Sequence, residues 1–317
     1  PKAPGGKMKI EEVPVPQEIV DKIWKEATPY YHLIDSKSEE ELKWFYNHML
    51  RDLKPGESWM ICLGAREKKL DEEERKLYFL GRSEMMRENI VRFHHVGEPY
   101  KWFSEAVYAY NMDKHGLTTK NGLPYPDKTM VVYLTLNPCS SLECVRDVKQ
   151  YIEVLMDEMI DSIEKGSVEG VEDHKFKMSK VFDHFKSVHA RNPSEKLLVD
   201  FDVDAKFDKE TEDEVFHKLS EEIQKFYPKG SFAFVRTSGG IHIVVKHNVM
   251  KCNPGDVVTA IQNFLKNNNI ESDEVIYNVR KTSDRIGNQK RASAMIPCPG
   301  TYQYGNLVYI ANKWDFE

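Results

Sequence analysis

Apolar residues recur at helical spacing from Gln17 to about Leu53, first as Ile19 and Ile23, then as Leu42, Phe45 and Met49. Pro29 and the Ser36 to Ser38 segment break the run, so two helices are predicted behind a flexible, Pro-rich lead over 1–16. Trp59-Met-Ile-Cys-Leu63 reads as a strand, and the charge-rich Lys68 to Lys76 as a solvated helix or loop. Leu77 to Asp113 is rich in aromatics interleaved with Arg82, Arg87, Arg92 and Lys101, a composition that suits base stacking or ordinary core packing. Within it Val107 to Tyr110 is predicted as a strand. The Gly-, Asn- and Pro-rich run from His115 to Pro126 marks a break.

Beyond that break the period alternates between two and 3.6. Met130 to Leu136 is a predicted strand, and Ser140-Ser-Leu-Glu143 is a capping box ahead of a long helix carrying Leu142, Val145, Val148, Ile152, Leu155, Met156 and Ile160. A second helical stretch is predicted over Lys175 to His189. After it come strand Lys196 to Val203, helix Lys209 to Tyr227, strands Ser231 to Arg236 and Ile241 to Lys246, and helix Pro254 to Lys266. Strands near Val275, Ala292 to Ile296 and Leu307 to Ile310 close the chain. This order predicts an α+β fold with a mixed, mostly antiparallel sheet flanked by helices. The organisation expected is a helix- and aromatic-rich region over 1–125, of unassigned role, followed by a core region over 126–317.

Composition narrows the function. The chain has 317 residues, enough for a sizeable core, with 40% hydrophobic and 30% charged residues. A formal charge of -6 argues against a protein that coats nucleic acid through bulk charge, although Arg280, Lys281, Arg285, Lys290 and Arg291 form a local basic track around Asp284. No apolar run approaches a membrane span and the first residues have no signal-peptide character, so a cytoplasmic location is expected. The nucleus is the alternative if the host has one. Five cysteines without a Cys-x-x-Cys pair read as free buried thiols rather than disulfides or a zinc ribbon.

The chemistry concentrates in the C-terminal third. In Leu198-Val-Asp-Phe-Asp-Val-Asp204 the two-residue period turns Asp200, Asp202 and Asp204 to one face and Val199, Phe201 and Val203 to the other. Carboxylates stacked this way repel one another unless a cation offsets them, and Mg2+ or Mn2+ favours such hard oxygen ligands. A solvated strand end is the structural alternative, and glycosyltransferases and nucleases also use Asp-x-Asp. Arg236-Thr-Ser-Gly-Gly-Ile-His242 adds a Gly-permitted turn whose amides at Gly239 and Gly240, with the Ser238 hydroxyl, can cradle phosphate oxygens while His242 donates a further hydrogen bond.

With these two motifs one crossover helix apart, the chain resembles the archaeo-eukaryotic primase superfamily of replicative primase small subunits and primase-polymerases. Asp200 and Asp202 match its acidic strand, and Ser238, Gly240 and His242 its Ser-x-His hairpin; the match covers about 197–307. The resemblance implies two divalent ions, Mg2+ or Mn2+, on Asp200, Asp202 and a third acid, and triphosphate binding by Ser238, His242, Lys290 and Arg291. Asp284 stands fifteen residues before the Pro299-Gly-Thr301 turn and is the expected third acid, with Asp273 and Glu274 as alternatives. The implied partners are nucleoside triphosphates, a single-stranded or primed template and a replicative helicase; no membrane partner is expected. Neither a zinc knuckle nor a Gly-x-x-x-x-Gly-Lys-Ser/Thr loop is present. The expected activity is template-directed nucleotidyl transfer in replication. A nucleic-acid- or nucleotide-binding module without catalysis and a metal-dependent nuclease are the alternatives.

Overall fold

The computed structural model describes residues 15–26, 32–79, 84–85, 91–94, 123–181, 194–277 and 295–317. In chain order the helices are α1 (Gln17–Glu26), α2 (Ser38–Met49), α3 (Glu72–Phe79), α4 (Ser141–Glu164), α5 (Val168–Ser179), α6 (Glu212–Gln224) and α7 (Pro254–Asn267). The strands are β1 (Glu57–Arg66), β2 (Glu84–Met85), β3 (Val91–His94), β4 (Met130–Thr135), β5 (Cys139–Ser140), β6 (Leu198–Ala205), β7 (Phe232–Arg236), β8 (Gly240–Lys246), β9 (Ser272–Tyr277), β10 (Met295–Pro297), β11 (Tyr302–Gln303), β12 (Asn306–Leu307) and β13 (Tyr309–Ile310). The fold is α+β, and every strand pair among the described residues is antiparallel.

Two sheets carry the architecture. The first runs β10-β4-β1-β2, with β3 and β5 also pairing β1. Its strands come from both sides of residue 126. The second runs β13-β7-β8-β6-β9. Read along the chain, β6-α6-β7-β8-α7-β9 is a β-α-β-β-α-β unit whose four strands take the spatial order of a split βαβ fold, extended by β13.

The faces of β6 explain how the sheets stack. Val199, Phe201 and Val203 join Phe216, Leu219 and Ile223 of α6 and Val257, Ile261 and Leu265 of α7 in one core. On the opposite face Leu198, Ala233, Val235, Val244 and Ile310 pack with Trp59, Ile61, Leu63, Val132 and Leu134 of the first sheet and with Leu42, Phe45 and Met49 of α2. The acids of β6 therefore share the face that looks toward the first sheet. Both faces are covered at the start of β6, so Asp200 is completely buried, and cover thins along the strand until Asp202 and Asp204 are each 41% exposed.

Local signals account for most element ends. Ser140 caps α4 by accepting from the Glu143 N–H at 3.2 Å, while the Glu143 side chain turns to Arg146 instead of closing the box. The second helical stretch begins at Val168, earlier than its apolar spacing suggests, because Ser167 caps it through the Gly170 N–H. Lys68 to Lys76 divides into a 3-10 turn over Glu67–Lys69 and α3. Gly300, at φ 82°, lets the Pro299-Gly-Thr301 turn press on α2, where a Cβ would stand 2.5 Å from the Ser38 carbonyl oxygen. All five cysteines are free, four of them buried and Cys252 half-buried. Val107 to Tyr110, Ala292 to Ala294 and most of the aromatic segment lie outside the described residues.

Candidate active site

The exposed half of the acid row opens into a cleft of about 820 Å³ between the ends of the two sheets. Asp202, Asp204, Thr237, Ser238, Gly239 and His242 line one side of it. The register that produces this is direct: Asp202 is the cross-strand partner of His242 and Asp204 of Gly240. Gly240 can occupy that position only as glycine, because a Cβ there would lie 2.0 Å from the Val203 carbonyl oxygen. The turn is braced by Arg236, which also lines the cleft; its Nη1 donates to the Thr237 and Gly240 carbonyls and its Nε donates to Glu212 at 3.1 Å.

His242 ties the two motifs together. Its Nδ1 lies 3.0 and 3.2 Å from the two Asp200 oxygens, and its Nε2 is 3.7 Å from Asp202 Oδ1. Burial disfavours the charged ring, but the Asp200 carboxylate, by charge and hydrogen bond, and Asp202 beside it raise the His242 pKa to about 9. Asp202 is shifted the other way from a stabilised acid. Burial, together with the Asp200 and Asp204 charges, raises its pKa above the ordinary value, with His242 and Lys68 opposing the shift. Asp202 is thus an anion short of positive charge at the mouth of a cleft. Asp200, in contrast, stands behind His242 and does not line the cleft.

The facing wall is basic and was not legible as such. Arg66, Lys68, Lys69 and Arg75 line it, from the end of β1, the 3-10 turn and α3. Lys68 crosses the gap to Asp204 at 3.4 Å, and Arg66 donates to the Tyr133 hydroxyl at 3.1 Å. In sequence Lys68, Lys69 and Arg75 fall in the charge-rich stretch read as a solvated helix or loop, whereas Arg66 ends β1 and stood outside that stretch. Gln303 was missed as well. Its buried amide oxygen accepts from both the N–H and the hydroxyl of Ser238, at 3.1 and 3.2 Å.

The expected residues thus separate into three groups. Asp202, Ser238, Gly239 and His242 meet at the cleft, while Asp200 and Gly240 stand directly behind it. Asp284, Lys290 and Arg291 lie outside the described residues. Of the alternative third acids, Asp273 lines the cleft, whereas Glu274 is the cross-strand partner of Asp204. Among the described residues no group of three or more His, Cys, Asp or Glu side chains is arranged to hold a metal ion. The donor chemistry at Asp202 nevertheless suits a magnesium-type ion, which takes one or two carboxylates and keeps several waters. Among the described residues no helix is long and apolar enough to cross a membrane. No protein-family model, curated protein or solved structure matches the chain.

Proposed function

We propose that the protein is a template-directed nucleotidyltransferase, a primase or primase-polymerase of the archaeo-eukaryotic type. The observation that carries this reading is the union of two motifs 42 residues apart, in which His242 of the Ser-Gly-Gly-x-His hairpin hydrogen-bonds Asp200 of the acidic strand. The split βαβ order supports it, with the acids on the first strand of the unit and the glycine turn between the second and third. So does the charge pattern of the cleft, where acids face Arg66, Lys68, Lys69 and Arg75.

In this reading Asp202 and Asp200, with a third acid from Asp284 or Asp273, would hold the divalent ions, whose chemistry there would be to offset triphosphate charge and favour ionisation of the attacking hydroxyl. The basic wall binds and orients the phosphate chain. His242, as an imidazolium, adds a charged donor and keeps Asp200 in place. Lys290 and Arg291 are further phosphate ligands, and the template, with a helicase as partner, belongs to the surfaces around the cleft. The reaction is tested by incubating the protein with primed and unprimed single-stranded template, Mg2+ or Mn2+ and labelled triphosphates. Incorporation that disappears in Asp200→Ala/Asp202→Ala supports the assignment; none from the wild type under any of these conditions overturns it.

One observation favours a second reading. Asp200 is engaged by His242 and withdrawn from the cleft, which suits a module that binds nucleotide without turning it over. Calorimetric titration with a triphosphate separates the two: affinity that does not depend on Mg2+ favours the binding module.

A further inference from the structure

We infer that Gln303 is a further phosphate-binding residue of the cleft, oriented for that role by Ser238; the inference rests on the functional reading above. A phosphate-cradling role for Ser238 needs its N–H and hydroxyl to be available, yet both donate to Gln303 Oε1, at 3.1 and 3.2 Å. Two donors converging on one atom determine which way a carboxamide points. The oxygen faces Ser238, and Nε2, with two N–H donors, is the group the side chain can offer to the cleft it lines. Among the described residues the hydrogen bonds of the Gln303 side chain run through Oε1 alone, and Nε2 is not one of the buried polar atoms lacking a partner.

The backbone holds this arrangement rigidly. Gln303 ends β11, and the tight turn to β12 uses positive φ at Tyr304 (53°) and Gly305 (79°). The Tyr304 N–H donates to the Met130 carbonyl at 3.1 Å, which pins the turn to the first sheet. Gln303 is 5% exposed, so its rotamer has little freedom once Ser238 is in place. The hairpin motif therefore acts on an oxyanion through a residue 65 positions away. Ser238 is the positioning residue and Gln303 the one that touches ligand.

The test is calorimetric titration with Mg-dATP of the wild type, Gln303→Ala, Gln303→Glu, Ser238→Ala, Ser238→Thr and the Ser238→Ala/Gln303→Ala double variant, each checked by thermal unfolding. Loss of a hydrogen bond to a charged group predicts affinity about tenfold weaker for Gln303→Ala. Gln303→Glu keeps both acceptor contacts to Ser238, and so its fold, but replaces the donors with a like charge and binds more weakly still. Ser238→Ala weakens binding, Ser238→Thr restores it, and the double variant is no worse than Gln303→Ala. Wild-type binding with Gln303→Ala equal or tighter overturns the inference, since Gln303 would then only fill a seat that phosphate takes by displacing it. Additive losses in the double variant overturn the positioning role of Ser238. A wild type that binds no triphosphate overturns the functional reading itself.

Discussion

Glu57 and the pair Asp200 and Asp202 are carboxylates at the two sheets, and they are treated in opposite ways. Glu57 is almost closed off from solvent, with Arg51 donating to both oxygens at 2.7 and 2.8 Å, Ser194 at 2.6 Å and the Lys54 N–H at 2.7 Å. Burial works against its charge, yet these donors lower its pKa to about 2. Asp200 and Asp202 share the imidazole of His242, and Asp202 is left with a raised pKa at the cleft. The first arrangement gives each Glu57 oxygen two donors and ties Ser194 to β1. The second leaves negative charge in want of a cation, and want of that kind is what distinguishes a candidate site from a brace.

Removing charge at each place should separate the two most sharply. Under the proposed function Asp202→Asn is expected to lower nucleotidyl transfer roughly a thousandfold while leaving the thermal midpoint unchanged or higher, since a destabilised anion has gone. Transfer rates and melting curves on the same preparation check this. Full activity in Asp202→Asn would erase the distinction. Glu57→Gln should do the reverse, costing about 3 kcal/mol by urea denaturation because Arg51 loses its bidentate partner, with the activity of the folded fraction unchanged.

Titration offers a third contrast, because the two centres respond at opposite ends of the pH scale. In the unfolded chain His242 loses its proton near 6.5, whereas in the fold it keeps it to about 9. Its ion pair therefore contributes fully below about 6.5 and is lost as pH rises through about 9, a change on the order of 3 kcal/mol. Glu57, with a folded pKa of about 2, contributes above its unfolded value and loses that contribution as pH falls toward 2. Urea midpoints from pH 3 to 10 should show an alkaline fall that His242→Asn removes and an acid fall that Glu57→Gln removes. An alkaline limb unchanged in His242→Asn would refute the charged histidine.

The smallest effect expected belongs to the basic wall. Lys68 and Asp204 are exposed, so Lys68→Ala should leave stability within about 0.5 kcal/mol. It should still weaken Mg-dATP binding severalfold at low salt, with the difference shrinking as ionic strength rises. Titrations at two salt concentrations read this, and a salt-independent difference would argue against a phosphate-facing lysine.

Most of the elements were legible because their signals are local. The two-residue period put Asp200, Asp202 and Asp204 on one face of β6, the glycine pair marked the β7–β8 hairpin, and α7 starts at Pro254 as expected. Local signals also identified the Ser140 cap, whereas the clash that reserves position 240 for glycine is with Val203 on the neighbouring strand. The α+β order followed from them. They misplaced the start of α5 because its apolar spacing is weak before Lys175, whereas its cap lies at Ser167.

What the site is made of depended on the order of strands across the two sheets. Asp200 and Asp202 carry the same side chain two residues apart, yet one is sealed and the other is 41% exposed, because the first sheet covers one and ends before the other. Lys68 meets Asp204 across 136 residues and Ser238 meets Gln303 across 65. No periodicity records such meetings. Hydrogen-bonding period and turn chemistry act over a few residues and can be read from neighbours along the chain. Burial, charge compensation and the partner of a given donor are set by whichever distant strand packs beside it.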